Sequence, residues 1–189
     1  MKTLDDIRKE IDDIDVQIRS LLMKRMDCSE QVVSSKIKDQ NYAIYRADRE
    51  EAMLKKLGDG IPDNRRPEYL SVVRKITETS RMYQYGILFD AVPELYRKLV
   101  SRVALPKKGN AVKVVLTRPN IPNAMSSILS MVGDYGYNMD QMRLLRYARD
   151  NSSVDFELVI LGDIHDTPMQ KLMLQLSMES IGFCILEVL

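Results

Sequence analysis

The chain has no tryptophan, one histidine and two cysteines in 189 residues. A single histidine, His165, excludes a His-clustered metal site and leaves a Ser-His-Asp triad without support. A catalyst without a histidine must rely on fixed charge and positioning. Cys28 and Cys184 cannot form a disulfide framework, which points to a reducing cytoplasm. No apolar run approaches the ~18 residues of a membrane span. The charged start, MKTLDDIRKEIDD, does not read as a secretory signal. Lys plus Arg number 28 and Asp plus Glu 27, for a net charge of +1. That balance gives no general attraction to nucleic acid or to an acidic membrane.

Glycine and proline are missing altogether from residues 1–57 and then arrive together at Gly58, Gly60 and Pro62. The second half is punctuated by them at intervals suited to short elements. Charge shifts as well. Residues 1–87 hold 17 basic and 16 acidic side chains, 88–109 hold 5 and 2, and 110–189 hold 6 and 9. This reads as two domains, 1–87 and 110–189, joined by a mildly basic connector at 88–109 in which VPELYRKLVSRV forms a short helix.

The first domain reads as three helices. Thr3 with Asp6 has capping-box spacing. From there Leu4, Ile7, Ile11, Ile14, Ile18 and Leu21 form a heptad-like seam that continues through Cys28 and Val32 to about Ile37. A helix of about 35 residues is roughly 50 Å long. The two shorter helices of the same chain are too short to cover such a stripe, so a second copy of the chain is the expected partner in an intertwined homodimer. Tyr45–Leu57 forms a second helix ended by Gly58. Pro67 opens a third, with Tyr69, Val73, Ile76 and Tyr83 on one face.

The second domain alternates differently. Val112–Thr117 reads as a strand and Ile121–Asp134 as a helix through Met125, Ile128, Leu129 and Val132. Asn138–Tyr147 and Val154–Leu161 form a hairpin. Thr167-Pro168 caps a helix that runs to Ile181, closed by Gly182 at its C′ position, and Phe183–Val188 is a last strand. The order βαββαβ is that of a ferredoxin-like α+β sandwich with helices on one face.

Polar groups interrupt the apolar faces of the helical half. Arg25 takes the seam position after Leu21, Lys36 borders the stripe four residues beyond Val32, and Arg8 lies four after Leu4. Ser80 and Gln84 share a face of the third helix with Ile76. Taken singly, such residues most often snorkel, set register or fill space. Three cations, a hydroxyl and an amide together, with no matching carboxylates on those faces, describe a pocket for a small polyanion. The run Asp48-Arg49-Glu50-Glu51 is either a solvated face or the source of a further cation and a hydroxyl acceptor.

LDDIRKEIDDIDVQIRSLLMKRM, VVSSK, DREEAMLKKL and ITETSRMYQ together resemble the all-α class of chorismate mutases in register over residues 4–86. The resemblance implies a three-helix domain, an intertwined dimer, chorismate as substrate and no cofactor. It implies that Arg8 crosses the dimer to a substrate carboxylate, that Arg25 holds the other, and that Lys36 contacts the ether oxygen and a carboxylate. Arg49 and Glu50 match the Arg-Glu pair of the second helix, Glu50 facing the ring hydroxyl. Ser80 matches a carboxylate-binding serine, and Gln84 a donor to the ether oxygen. Arg46 departs from the aspartate many relatives carry near the ring hydroxyl.

The second domain resembles ACT regulatory domains in element order, in Pro122-Asn123-Ala124-Met125 and in Asp134-Tyr135-Gly136-Tyr137-Asn138. Asn123 replaces a glycine of the amino-acid-binding motif. The Glu-Ser-Arg-Pro motif of phenylalanine-binding relatives is absent, Arg143-Leu144-Leu145-Arg146 occupying that region. The combination resembles bifunctional chorismate mutase–prephenate dehydratases, but the 22-residue connector has no room for a dehydratase domain. The resemblance implies an aromatic amino acid bound near Ile121, Pro122, Asn123, Ala124 and Met125 at an ACT–ACT interface. The alternative is a ligand-free module that stabilises the dimer.

Two other functions compete with the mutase: a non-catalytic sensor or scaffold, and an isochorismate–pyruvate lyase on a similar scaffold. A degenerate pocket should have lost Arg8, Arg25, Lys36 or Gln84, and all four are present. A nucleic-acid module is disfavoured, because the basic connector lacks aromatic interleaving beyond Tyr96.

Overall fold

A computed structural model describes residues 2–122 and 124–189. Four helices come first: α1 (Leu4–Lys38), α2 (Ala47–Gly58), α3 (Arg66–Ala91) and α4 (Glu94–Val100). There follow β1 (Ala111–Pro119), α5 (Ala124–Asp134), β2 (Asn138–Tyr147), β3 (Ser153–Leu161), α6 (Thr167–Glu179) and β4 (Gly182–Val188). An all-helical N-terminal region thus precedes an α+β region of βαββαβ order.

α1 starts at a capping box. The Thr3 hydroxyl accepts from the Asp6 amide and the Asp6 carboxylate accepts from the Thr3 amide. It ends at Gln40, which takes a left-handed φ of 53° without being glycine. The Gln40 amide bonds the Ile37 carbonyl and the Asn41 amide the Lys36 carbonyl, a Schellman closure. This turn folds residues 41–46 back beside the last turns of α1. The apolar stripe along the rest of the rod is open: Leu4, Ile7, Ile11, Ile14, Ile18 and Leu21 are each between 42% and 64% exposed. The buried residues of α1 are Ser29 and Val33.

Several sequence expectations need correction. Gly58 is the last residue of α2, and the left-handed residue is Gly60, with φ 77°. The buried face of α3 runs through Thr77, Arg81, Tyr85 and Leu88, with Ser80 beside it; Tyr69 lies on the surface and Tyr83 reaches only Glu30 of α1. This is because α3 packs on two sides, against α1 and α2 and against α6. Met125 and Leu129 of α5 are exposed, while Ile128, Met131 and Val132 are buried. α6 stops at Glu179, and its N-cap is Asp166 in place of Thr167. Gly182 is the first residue of β4. A Cβ there would sit 3.2 Å from the Thr117 hydroxyl, a tight contact across the paired strands.

The sheet order is β2-β3-β1-β4, every neighbour antiparallel. β1 and β3 are central and alternate buried with half-buried residues, whereas the edge strand β2 is mostly exposed. Val112, Val114, Leu116, Phe156, Leu158 and Ile160 meet Ile128 of α5 and Met169, Leu172, Met173 and Leu176 of α6 in the main core. A second, smaller cluster joins Val33, Ile44, Tyr85, Leu88 and Val92, with Met178 of α6 packed against it. α6 therefore lies between the sheet and the helical region. Ion pairs Lys75–Asp134 (2.6 Å) and Lys171–Asp90 (2.9 Å) flank that contact. No described helix is long and apolar enough to cross a membrane.

Candidate functional site

The end of α1, the start of α2 and the middle of α3 enclose a cleft of about 280 Å³. Seven of the residues singled out from the sequence line it: Arg25, Lys36, Arg46, Arg49, Glu50, Ser80 and Gln84. The reason is helical geometry. Arg25, Ser29, Val32 and Lys36 follow one stripe of α1, and Ser80 and Gln84 are one turn apart on α3. Arg49 and Glu50 come from the first turn of α2.

Arg25 donates to the Ser80 hydroxyl, which itself donates to the Ile76 carbonyl at 2.8 Å. Lys36 donates to the Ala43 carbonyl in the loop after α1. Burial, with Arg49 and Arg46 nearby, pushes the Lys36 pKa below the usual lysine value. Arg46 is turned to Asp48, two residues on, at 2.7 Å. Among the described residues Arg25, Lys36 and Arg49 have no carboxylate partner. Three uncompensated cations on one cleft make a site for a small dianion.

Arg8 is not in this cleft. It sits exposed beside Asp5, about 25 Å along α1 from Arg25 by helical rise. Ile121, Pro122 and Ala124 line a different space of about 140 Å³, between α2 and α3 on one side and the β1–α5 loop on the other; Tyr45, Arg118 and Ser127 complete its walls. Met125 is on the surface. Asn123 lies outside the described residues. His165 is an exposed loop residue whose Nε2 is 2.7 Å from the Pro106 carbonyl.

The residue that sequence reading passed over is Arg81. It is buried and lines the cleft, and its Nη1 meets both Glu50 oxygens at 2.6 Å. Its Nε meets Oε1 of Glu179, the last residue of α6, at 3.0 Å. The Tyr45 ring lies 4.9 Å from the guanidinium. Burial acts against the Arg81 charge, but Glu179 and Glu50 outweigh it and hold its pKa above the usual arginine value. Burial pushes Glu50 up, and Arg81 opposes that shift. A signal was available, since Thr77, Arg81, Tyr85 and Leu88 follow steps of four, four and three and put an arginine on a core-facing helix stripe.

A larger cleft of about 650 Å³ between α4, α6 and β4 holds Lys98 and Arg102 among mainly apolar walls, with no converging polar set. Among the described residues no group of His, Cys, Asp and Glu is arranged to hold a metal ion.

An all-helical cleft that offers fixed cations to a small dianion is the class of site this fold defines. Residues 7–85 match the family model described as chorismate mutase type II. That match spans less than half of the chain: the helical region is similar to this family, and the antiparallel four-stranded α/β region follows it. No curated protein matches the chain. A solved structure described as "GqqA- a novel type of quorum quenching acylases" is similar over 45% of this chain and 45% of its own, at 23% identity and a TM-score of 0.42. The likeness spans less than half of either chain and is too slight to bear on fold or chemistry.

Proposed function

We propose that the chain is an isomerase that converts chorismate to prephenate in aromatic amino-acid biosynthesis. The observation that carries this reading is the convergence of Arg25, Lys36 and Arg49 on one cleft without carboxylate partners. Chorismate is a dicarboxylate. Its rearrangement breaks the ether C–O bond as a new C–C bond forms, with no proton transfer and no cofactor. Two cations that fix the two carboxylates select the reactive conformer and remove an entropy cost. Negative charge grows on the ether oxygen as its bond breaks, and Lys36 with Gln84 stabilises it. Ser80 supports Arg25, and Glu50 accepts the ring hydroxyl. Arg46 stays with Asp48 at the rim.

The open stripe from Leu4 to Leu21 supports a homodimer in which a second α1 covers it and Arg8 completes the neighbouring cleft. Residues 1–87 serve as the mutase domain, 88–109 as connector and 110–189 as an ACT-like regulatory domain, in a cytoplasmic protein without nucleic-acid or membrane partners. An aromatic amino acid at the Ile121–Met125 segment is the proposed effector. Titration calorimetry with phenylalanine and tyrosine tests it, and absence of heat leaves the module a dimer stabiliser.

The test of the mutase is the loss of chorismate's conjugated-diene absorbance on adding purified protein, with prephenate confirmed by acid conversion to phenylpyruvate. Turnover is expected. A folded dimer without turnover overturns the enzyme and favours a sensor, and faster pyruvate release from isochorismate favours the lyase.

A further inference from the structure

The Glu50 carboxylate on the mutase cleft is tied to the α/β region through a continuous polar chain. Arg81 Nη1 holds both of its oxygens, and Arg81 Nε is anchored on Glu179. Glu179 in turn accepts from Gln175 Nε2 at 3.0 Å, and the Tyr135 hydroxyl donates to Gln175 Oε1 at 3.0 Å. Arg118, at the end of β1, donates to the Glu179 backbone carbonyl and to the Ser127 hydroxyl. Glu179 is 5% exposed, and its Oε2 is buried with no hydrogen-bond partner among the described residues. A half-satisfied buried carboxylate is expensive, and packing alone is met as well by an uncharged residue.

The arrangement divides one guanidinium between two carboxylates. As long as Glu179 takes the Nε edge, Arg81 is fixed in place and Glu50 receives only part of its charge. Glu50 then stays in position with acceptor strength left for a hydroxyl. With Glu179 neutral, the whole cation falls on Glu50 and the fork is free to swing toward α2. We propose that Glu179 and Arg81 are positioning residues of the cleft, so that the α/β region sets how firmly Glu50 is held and thereby how well the site accepts the ring hydroxyl of its dicarboxylate substrate. This rests on the mutase reading above. It makes the second region a working part of substrate recognition.

The experiment is a double-mutant cycle on kcat and KM for chorismate, using full-length Glu179→Gln, Glu50→Gln and the double variant. Glu179→Gln is expected to raise KM about tenfold with kcat changed less than about twofold, because the ring hydroxyl is neither made nor broken in the rearrangement and its contact counts mainly as uniform binding. In the Glu50→Gln background the same change should move KM less than about twofold. Equal effects in both backgrounds, or an unchanged KM in Glu179→Gln, overturn the proposal. Partial unfolding alone would lower kcat and leave KM as it was.

If Glu179→Gln does not fold, Gln175→Met loosens the same glutamate. It should raise KM in the same direction, by less, and again only when Glu50 is present; a background-independent effect overturns the relay. Binding of a rigid bicyclic ether dicarboxylate, with and without its hydroxyl, adds a readout free of turnover. Glu179→Gln should weaken only the hydroxylated compound. Wild-type protein that neither turns over chorismate nor binds either compound overturns the mutase reading and the relay with it. An active wild type with no background dependence overturns the relay alone.

Discussion

The two regions close their cores to very different degrees. The α/β region gathers seventeen buried residues into one cluster, drawn from the sheet, α5, α6, Ile164 of the β3–α6 loop and Tyr96 of α4. The helical region gathers five, and one of these, Val92, lies just beyond α3. The second cluster holds fewer than a third as many buried residues as the first, and so contributes correspondingly less hydrophobic stabilisation. The difference teaches that the half carrying the candidate cleft is the incomplete half. It leans on α6 along one side of α3, and it leaves a ladder of leucines and isoleucines on α1 open to solvent, which the proposed second chain would cover.

The most severe way to break that comparison is Ile14→Asp in the α1 stripe. We expect monomers and loss of chorismate turnover, with the α/β unfolding transition unmoved; sedimentation and kinetics on one sample check this. An active monomer would mean that the helical half needs no partner. Leu158→Ala probes the closed core and should cost roughly 2–5 kcal/mol of stability by denaturant unfolding, while kcat of the folded protein stays the same. Lys36→Ala should do the reverse. It should lower kcat about a hundredfold, near 3 kcal/mol of barrier, without changing the thermal midpoint. Near-normal kcat in that variant would remove Lys36 from the chemistry.

A pH profile sharpens the same contrast at the level of the cleft. In the proposed mechanism Lys36 acts only when protonated, and burial beside Arg49 and Arg46 lowers its pKa. The alkaline fall in kcat/KM should therefore begin at a lower pH than an ordinary lysine gives, declining about tenfold per unit beyond it. In the same proposal Glu50 acts only when ionised, and its pKa is raised by burial. The acid fall should begin at a higher pH than an ordinary carboxylate gives. Lys36→Arg should remove the alkaline limb alone. The smallest effect is expected from Asp90→Ala, which breaks an exposed pair with Lys171 between the two regions. Its cost should be below about 1 kcal/mol by thermal unfolding.

What could be read in the sequence was whatever depended on near neighbours. The Thr3–Asp6 cap, the seam of α1 and the βαββαβ order are all written in spacings of two to four residues. The Schellman turn at Gln40 was not legible, because a left-handed glutamine carries no local signal. Cleft residues on α1 and α3 were legible as polar breaks in apolar stripes. Arg81 was passed over because its meaning depends on Glu179, 98 residues away, which brings a carboxylate to it from the far side of α3. Spacing shows that a charge sits on a buried face and does not say which distant element neutralises it. Arg46 stood out as a departure from the family pattern, and the structure pairs it with Asp48 by a contact only two residues long.

The run of α3 through to Ala91 has a consequence for anyone who wishes to separate the two halves or graft either onto another protein. A cut after residue 87 severs the helix within its last turn, discards Leu88 and Val92, and strips the cover from Tyr85. A cut after Val92 keeps that small cluster but still leaves Arg81 facing water where Glu179 had been. The seam between the halves runs lengthwise down one helix, so no single peptide bond marks it, and an independent helical half would need the outer face of α3 rewritten for solvent.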